Sequence, residues 1–460
     1  MSSRNFKNRK ITVMGLGLNG GGLASVRFLA EQGARVTATD LRTAEILAPT
    51  IESLKDLDIR YVLGEHRMED FSTADLVIKN PAVPPSSPFL KAAQRVETDI
   101  SLFLSLCTNP ILAVTGSKGK STVVSALHHI LKKSYPGCRL GGNITRSPLS
   151  FLEELNPGDP VILELSSWQL GDLKGRDLLH PEIAVLTNIM NDHQNMYDSF
   201  EDYVDDKKVI YRGQNGEQKS IFHLDERGKV FASEAPGTSW FYSSSNSEAS
   251  IFLKDGKGRF SYEGRDLDLL PEQLTTPGLY FRQNCLIAAA AAVLYGEEPE
   301  AVKSSLTDFP GVPHRLELAG EYRGIRFYND TTATIPEAMC AAVDSFTDPV
   351  RLICGGTDKE LDYTGAAGSL KNAAGIYILE GSAFGKITAE LNESEVGFDG
   401  PFSSLKEAFD RALQGAAEGD VILMSPGATS FGMFINEFHR GDSFRELVNA
   451  LRGNQESSPD

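Results

Sequence analysis

Residues 113–122 read AVTGSKGKST, a short apolar run that enters a glycine-rich turn and continues into the helical stretch VVSALHHILKK. Strand, turn and helix in that order make an anion cradle. Backbone amides at a helix start surround phosphate oxygens, a lysine offsets their charge, and a hydroxyl reaches Mg2+. Gly116, Ser117, Lys118, Gly119, Lys120, Ser121 and Thr122 are therefore the expected nucleotide-phosphate loop. It is shorter than the common P-loop, with two residues instead of four between the first glycine and the Gly-Lys pair. A plain glycine turn with a surface lysine is the alternative.

Upstream, residues 11–29 read ITVMGLGLNGGGLASVRFL, and Asp40 ends the next apolar run, ARVTATD. Glycines at Gly15, Gly17 and Gly20 followed by an acidic residue make a dinucleotide-type fingerprint. The rhythm of strand-like and helix-like runs continues through VILELSSWQL and IAVLTNI, then resumes in IRFYND, VRLICGG, GIYILEG and GDVILMSPG. That alternation argues for parallel sheets covered by helices. The stretch from about Gly213 to Gly264 reads as short strands and turns, and NCLIAAAAAVLYG as a buried helix.

At 460 residues the chain exceeds a single core. Breaks near residue 107 and at DFPGVPHRLE give an α/β protein of three domains, 1–106, 107–311 and 312–460. A net charge of −17 opposes association with nucleic acid. No apolar run is long enough to span a membrane, so no membrane partner is expected. The cysteines Cys107, Cys138, Cys285, Cys340 and Cys354 show no spacing for a disulfide framework or zinc site, which fits a reducing cytoplasm.

Further polar residues stand out against apolar surroundings. Glu164 interrupts the buried strand candidate VILELSSWQL, where a carboxylate is costly unless paired or holding a cation. His193 lies among Asn188, Asn191 and Asp192 in TNIMNDHQNMY, and Lys207 and Lys208 lie in the helical stretch EDYVDDKKVIY. Each alone also reads blandly, as a buried network, a loop histidine and a solvated lysine face.

In order along the chain, GLGLNGGG (15–22), AVTGSKGKST, GGNI (141–144), ELSSWQL, NIMNDH, YVDDKKVIY, PHRLE (313–317), NDTTAT (329–334), GGTDK (355–359) and LMSPGATSFGMF (423–434) resemble the Mur ligase family. These are ATP-dependent amide-forming enzymes of peptidoglycan precursor assembly. The resemblance covers essentially the whole chain. It implies a Rossmann-like N-terminal domain for a UDP substrate, a central P-loop-type ATPase domain, and a Rossmann-like C-terminal domain for the incoming amino acid.

By matching motif, the resemblance implies ATP and Mg2+ at Lys120 and Ser121, with Glu164, His193 and Lys207 also serving the metal and Lys207 carbamylated. Lys120, His193 and Lys207 would be the catalytic set. Asn284, Arg315 and Asp330 would meet the nucleotide, alongside His314. Leu18, Asn19, Asp40, Asn80 and Asn143 would hold the UDP substrate, and Thr334, Lys359 and Ser430 the amino acid. The implied reaction joins glutamate to UDP-N-acetylmuramoyl-L-alanine through an acyl phosphate, in a monomeric cytoplasmic protein.

Three departures from the family pattern stand out. Thr332 occupies a lysine position in DTTAT, Tyr280 and Phe281 replace a His-Asn pair, and KNPAV replaces a Ser-Pro-Gly. D-glutamate is the expected substrate, with L-glutamate, or a non-catalytic UDP-glycopeptide-binding relative, as alternatives. A nicotinamide dehydrogenase would explain the first glycine loop but not TGSKGKST.

Overall fold

The computed structural model describes residues 5–18, 20–144, 146–190, 197 and 199–456. The chain divides into two compact units, residues 1–271 with 283–306 and residues 272–282 with 307–460. Among the described residues, the strands form three sheets.

The first sheet of the first unit runs Ile59–Leu63, Arg35–Asp40, Lys10–Met14, Leu76–Lys79 and Val96–Glu97, all parallel. Its strands are short and β-rich, and the central ones are buried on both faces, as helix-covered parallel strands require. The second sheet runs Arg265–Asp268, Lys257–Tyr262, Ile251–Lys254, Thr238–Ser243, Lys219–His223, Ile183–Leu186, Ile111–Thr115, Val161–Glu164 and Arg139–Gly142. Only the Ile251–Lys254, Lys257–Tyr262 and Arg265–Asp268 ribbon pairs antiparallel. One apolar cluster joins these two sheets, with Phe103 edge-on to Phe151 at 6.0 Å. A buried ion pair, Lys79 Nζ to Asp172 Oδ2 at 2.8 Å, crosses the same junction.

The sheet of the second unit runs Glu317–Tyr322, Ile325–Asn329, Val421–Met424, Val350–Gly355, Gly375–Leu379 and Asp399–Phe402. Only the first pair is antiparallel. Two apolar clusters lie against it, one around Leu352 and Leu423, the other around Phe327, Phe409 and Phe444.

The α/β rhythm is as expected, and the alanine-rich run is the helix Leu279–Tyr295. The region 213–264 differs from its reading as strands and turns, because a helix, Glu226–Glu234, sits inside it. Asp225 caps that helix by accepting from the Gly228 amide at 2.7 Å. A side-chain cap supplies what its weakly periodic sequence does not.

The two glycine loops use one device. Helices Gly21–Glu31 and Lys120–Ser134 both begin after a glycine in the left-handed region, Gly20 and Gly119, each with φ 86° and no side-chain cap. Helices Asp99–Leu106 and Phe200–Arg212, by contrast, are capped by Thr98 and Ser199. Uncapped first-turn amides are what an anion needs.

Candidate functional site

The loop from Gly116 to Gly119 leaves the strand Ile111–Thr115 and is held from one side by the segment after Ile183–Leu186. The Ser117 amide donates to Asn188 O at 2.9 Å and the Lys118 amide to Asn188 Oδ1 at 2.9 Å. Thr187 Oγ1 donates to Lys118 O at 2.6 Å. Gly116 has φ +143°, and a Cβ there would stand 1.9 Å from Thr187 Oγ1, so no other residue fits. The loop is preformed by its neighbours. Lys120 Nζ sits in its mouth, donating to Gly116 O at 2.9 Å and Ser117 O at 3.0 Å.

Glu164 ends the adjacent strand, in register with Val114 on one side and Gly142 on the other. It is 2% exposed. Its Oε1 accepts from Asn143 Nδ2 at 3.0 Å, while Oε2 is buried without a hydrogen-bond partner. An orphaned carboxylate oxygen beside a phosphate loop fits a hard cation. Among the described residues, no cluster of three or more His, Cys, Asp and Glu offers a metal cage.

Lys207, 2% exposed, reaches the same loop from the helix Phe200–Arg212. Its Nζ donates to Gly116 O at 3.0 Å and lies 4.7 Å from the centre of the Tyr203 ring. Lys208 points elsewhere, to Glu234 at 2.8 Å. Asn284, on the helix Leu279–Tyr295, packs on the far side of the loop, its Oδ1 2.6 Å from where a Gly119 Cβ would stand. The structure thus brings Gly116 to Thr122, Asn143, Glu164, Lys207 and Asn284 together. His193 lies outside the described residues, as does Asn19 of the first glycine loop.

In that first loop, Asp40 Oδ2 accepts from the Gly17 amide at 2.9 Å and Oδ1 from the Arg42 amide at 2.9 Å. Its carboxylate shapes the turn. Asn80 packs on Gly15, its Cβ 2.8 Å from where a Gly15 Cβ would be. Leu18 is 51% exposed at the loop's crest.

The second unit gathers the third group of residues. Asp330 follows the strand Ile325–Asn329; its Oδ2 accepts from Ser425 Oγ at 2.8 Å and its Oδ1 from the Leu316 amide at 3.1 Å. The latter bond pins a strained turn in which His314 has φ 65° and Leu316 φ 44°, values that non-glycine residues rarely adopt. That turn presents Arg315 outward. Burial is the chief cause that lowers the His314 pKa. Thr332 Oγ1 donates to His314 O at 2.9 Å, so the residue at the family's lysine position ties the same turn. Ser430 is buried, whereas Lys359 is exposed, its Nζ 5.4 Å from the Phe431 ring centre. Tyr280 is 74% exposed and Phe281 stacks on Phe309 at 5.9 Å.

Burial pushes the Asp330 carboxyl up to about 7. Above the unfolded value the folded state holds the extra proton, so this group's stabilisation falls between about pH 4 and pH 7 and is flat beyond. The loss is on the order of 4 kcal/mol. Asp330→Asn is expected to remove that part of the pH dependence of thermal unfolding. An unchanged slope between those pH values would contradict the assignment.

Two further residues, one in each unit, have no role that the sequence assigns. Tyr203 OH meets Ser117 Oγ at 2.7 Å and so braces the phosphate loop. Arg440, fully buried in the helix Glu437–Glu456, donates to Thr331 O at 2.9 Å and to Ala428 O at 3.2 Å, joining the NDTTAT and SPGATS loops. In the sequence it is one arginine in a polar stretch, and nothing there sets it apart.

All five cysteines are free thiols, and no helix of the described residues is long and apolar enough to cross a membrane.

Comparison with known proteins places the whole arrangement. Residues 9–101 match the Mur ligase MurD-like N-terminal domain, 114–292 the Mur ligase middle domain and 314–427 the Mur ligase glutamate ligase domain. The UDP-N-acetylmuramoylalanine–D-glutamate ligase of Borreliella afzelii (strain PKo) is 40% identical, covering 97% of this chain and 99% of that relative. The enzyme of the same name from Treponema pallidum (strain Nichols) is 38% identical over 97% of this chain and 98% of its own. In fold, the chain is similar to the UDP-N-acetylmuramate–alanine ligase of Thermotoga maritima, with a TM-score of 0.63 at 18% identity, over 96% of this chain and 100% of that one. With three of the family's domains in order and relatives this similar along nearly their whole length, the chain belongs to the Mur ligase family.

Proposed function

We propose that this protein joins D-glutamate to UDP-N-acetylmuramoyl-L-alanine at the expense of ATP, in peptidoglycan precursor synthesis. The observation that carries the reading is the preformed phosphate loop with Lys120 in its mouth and the unpartnered Glu164 oxygen beside it. The relatives that match along almost the entire chain carry D-glutamate ligase names, which supports the choice of amino acid.

In this reading the divisions 1–106, 107–311 and 312–460 serve the UDP substrate, ATP and glutamate in turn. ATP lies on the amides of the loop, and Lys120 moves from its carbonyl partners to the phosphates. Gly116 to Thr122 fix the phosphate chain, so that the substrate's terminal carboxylate oxygen attacks the γ-phosphorus in line. That P–O bond forms as the bond to the β-phosphate oxygen breaks, giving an acyl phosphate and ADP. The amine nitrogen of glutamate then attacks the acyl carbon. A tetrahedral intermediate collapses, the C–O bond to phosphate breaks, and the nitrogen loses a proton. Lys120 stabilises the transferring phosphoryl charge.

Ser121, Glu164 and His193 are the proposed holders of Mg2+, which when bound neutralises phosphate charge. Lys207, carbamylated on Nζ, would present oxygen in place of a cation on the same side of the loop. Leu18, Asn19, Asp40, Asn80 and Asn143 are assigned to the UDP substrate, and Asn284, His314, Arg315 and Asp330 to the nucleotide. Thr334, Lys359 and Ser430 are assigned to glutamate, with the Lys359 ammonium meeting a side-chain or α-carboxylate. The protein is proposed to act as a monomer in the cytoplasm.

Phosphate release from ATP by the purified protein, with Mg2+ and bicarbonate, tests this reading. Release is expected to require both UDP-N-acetylmuramoyl-L-alanine and D-glutamate, and to fall about 100- to 1,000-fold in Lys120→Ala. Release independent of the UDP substrate would refute it, as would turnover with L-glutamate in place of the D-isomer.

A further inference from the structure

The sheet Ile59–Leu63, Arg35–Asp40, Lys10–Met14, Leu76–Lys79, Val96–Glu97 has a second polar feature, at the end opposite its glycine loop. The register pairs Lys10 with Arg35, Thr12 with Thr37 and Thr37 with Arg60. Because alternate residues of a strand share a face, Lys10, Thr12, Arg35, Thr37 and Arg60 all stand on one side. Farther along that face Met14 is covered by Phe71. At the near end Lys10, Arg35 and Arg60 are exposed and Thr12 is buried, and all five residues line a groove of about 600 Å³.

Sheet faces in such folds are normally apolar and covered, so this half needs an explanation. Lys10 and Arg35 are direct cross-strand partners of like charge, an arrangement that is destabilising unless an anion sits between them. Among the described residues neither forms an ion pair with a carboxylate. Thr37 Oγ1 accepts from Arg60 Nη1 at 3.4 Å, which leaves its proton to donate. On the opposite wall, Asp70 pairs through Oδ1 with Arg60, and its main-chain oxygen accepts from Thr12 Oγ1 at 2.5 Å. Its side chain is 8% exposed, and Oδ2 has no hydrogen-bond partner. Asp58 and Glu69 also border the groove, exposed to solvent.

Two unpaired cations and a hydroxyl donor ask for an anion; a buried carboxylate oxygen lacking a donor asks for a hydrogen. We propose that this groove is a binding site for inorganic phosphate, its oxygens on Lys10, Arg35 and Thr37 and its own O–H donated to Asp70 Oδ2. Sulfate has the same shape but carries no proton at neutral pH. Asp70 therefore makes the site selective, since two acceptors facing each other without a hydrogen repel.

Calorimetric titration of the full-length protein and of Arg35→Gln at pH 7.5 with sodium phosphate and, separately, sodium sulfate tests the site, the binding lost in the variant being the groove's share because the phosphate loop also takes anions. Phosphate is expected to bind at least about tenfold more tightly than sulfate, a gap of about 1.4 kcal/mol. Arg35→Gln, an exposed position whose loss leaves folding intact, is expected to weaken phosphate at least about tenfold. Asp70→Asn, which supplies an amide donor, is expected to bring sulfate binding up to that of phosphate. Equal binding of the two anions by the unaltered protein would overturn the proposal, as would unchanged phosphate binding in Arg35→Gln. Neither readout depends on ligase turnover, so this proposal and the proposed function stand or fall separately.

Discussion

Lys207→Ala is expected to slow phosphate release by about a thousandfold, while Lys208→Ala keeps most of it. The two lysines are neighbours in the helix Phe200–Arg212, but successive helical residues point in different directions. Lys207 is buried, with Nζ 3.0 Å from Gly116 O and 3.4 Å from Thr115 Oγ1, so its terminal group touches the phosphate loop itself. Lys208 reaches Glu234, on the helix Glu226–Glu234. In the proposed carbamylation, the neutral Lys207 amine would take up carbon dioxide, forming an N–C bond, releasing a proton and leaving an anionic carbamate. That group can accept where the ammonium could only donate. Depleting bicarbonate should then lower the activity of the unaltered protein, and restoring it should bring the activity back. Equal losses in the two alanine variants would place the essential group elsewhere.

Arg440→Ala is expected to cost about 2–4 kcal/mol of stability in the second unit. The guanidinium is fully buried and its acceptors are neutral: Thr331 Oγ1 at 3.0 Å, Thr331 O at 2.9 Å, and Ala428 O at 3.2 Å from both terminal nitrogens. Burial alone lowers its pKa to about 10, far enough above neutrality that the charge remains. Truncation leaves buried carbonyls without donors and a cavity in their place. Arg440→Lys offers a point charge where a planar fork is required, so it should recover only part of the stability. Since the tethered loops carry Thr334 and Ser430, proposed for glutamate, and Asp330, proposed for the nucleotide, the lysine variant should raise KM for both glutamate and ATP. A loss below about 1 kcal/mol in Arg440→Ala would show that the loops hold themselves.

Much of this was legible in the sequence for definite reasons. Strands such as Ile111–Thr115 and Val421–Met424 are short apolar runs ending at glycine or proline turns, and both lie where the pattern puts them. The phosphate loop was legible because its chemistry is local: cradle, lysine and hydroxyl occupy ten consecutive residues, 113–122. The helix Glu226–Glu234 was not, because its capped start is embedded in polar sequence. Arg440 and Tyr203 were not, because their roles depend on partners far along the chain, 109 and 86 residues away. The strain at His314 and Leu316 was hidden for the same reason. PHRLE reads as a linker until Asp330 is seen holding the Leu316 amide. The groove at Lys10, Arg35 and Asp70 needs the register itself, which no single strand reveals.

The central claim is that the carboxylate of UDP-N-acetylmuramoyl-L-alanine is phosphorylated and then displaced by D-glutamate. The most direct measurement uses that substrate with its terminal carboxylate labelled with oxygen-18, and analyses both products by mass. The account predicts one labelled oxygen in each inorganic phosphate released, matched one for one by the new amide. Unlabelled phosphate, or labelled phosphate without amide, would contradict it.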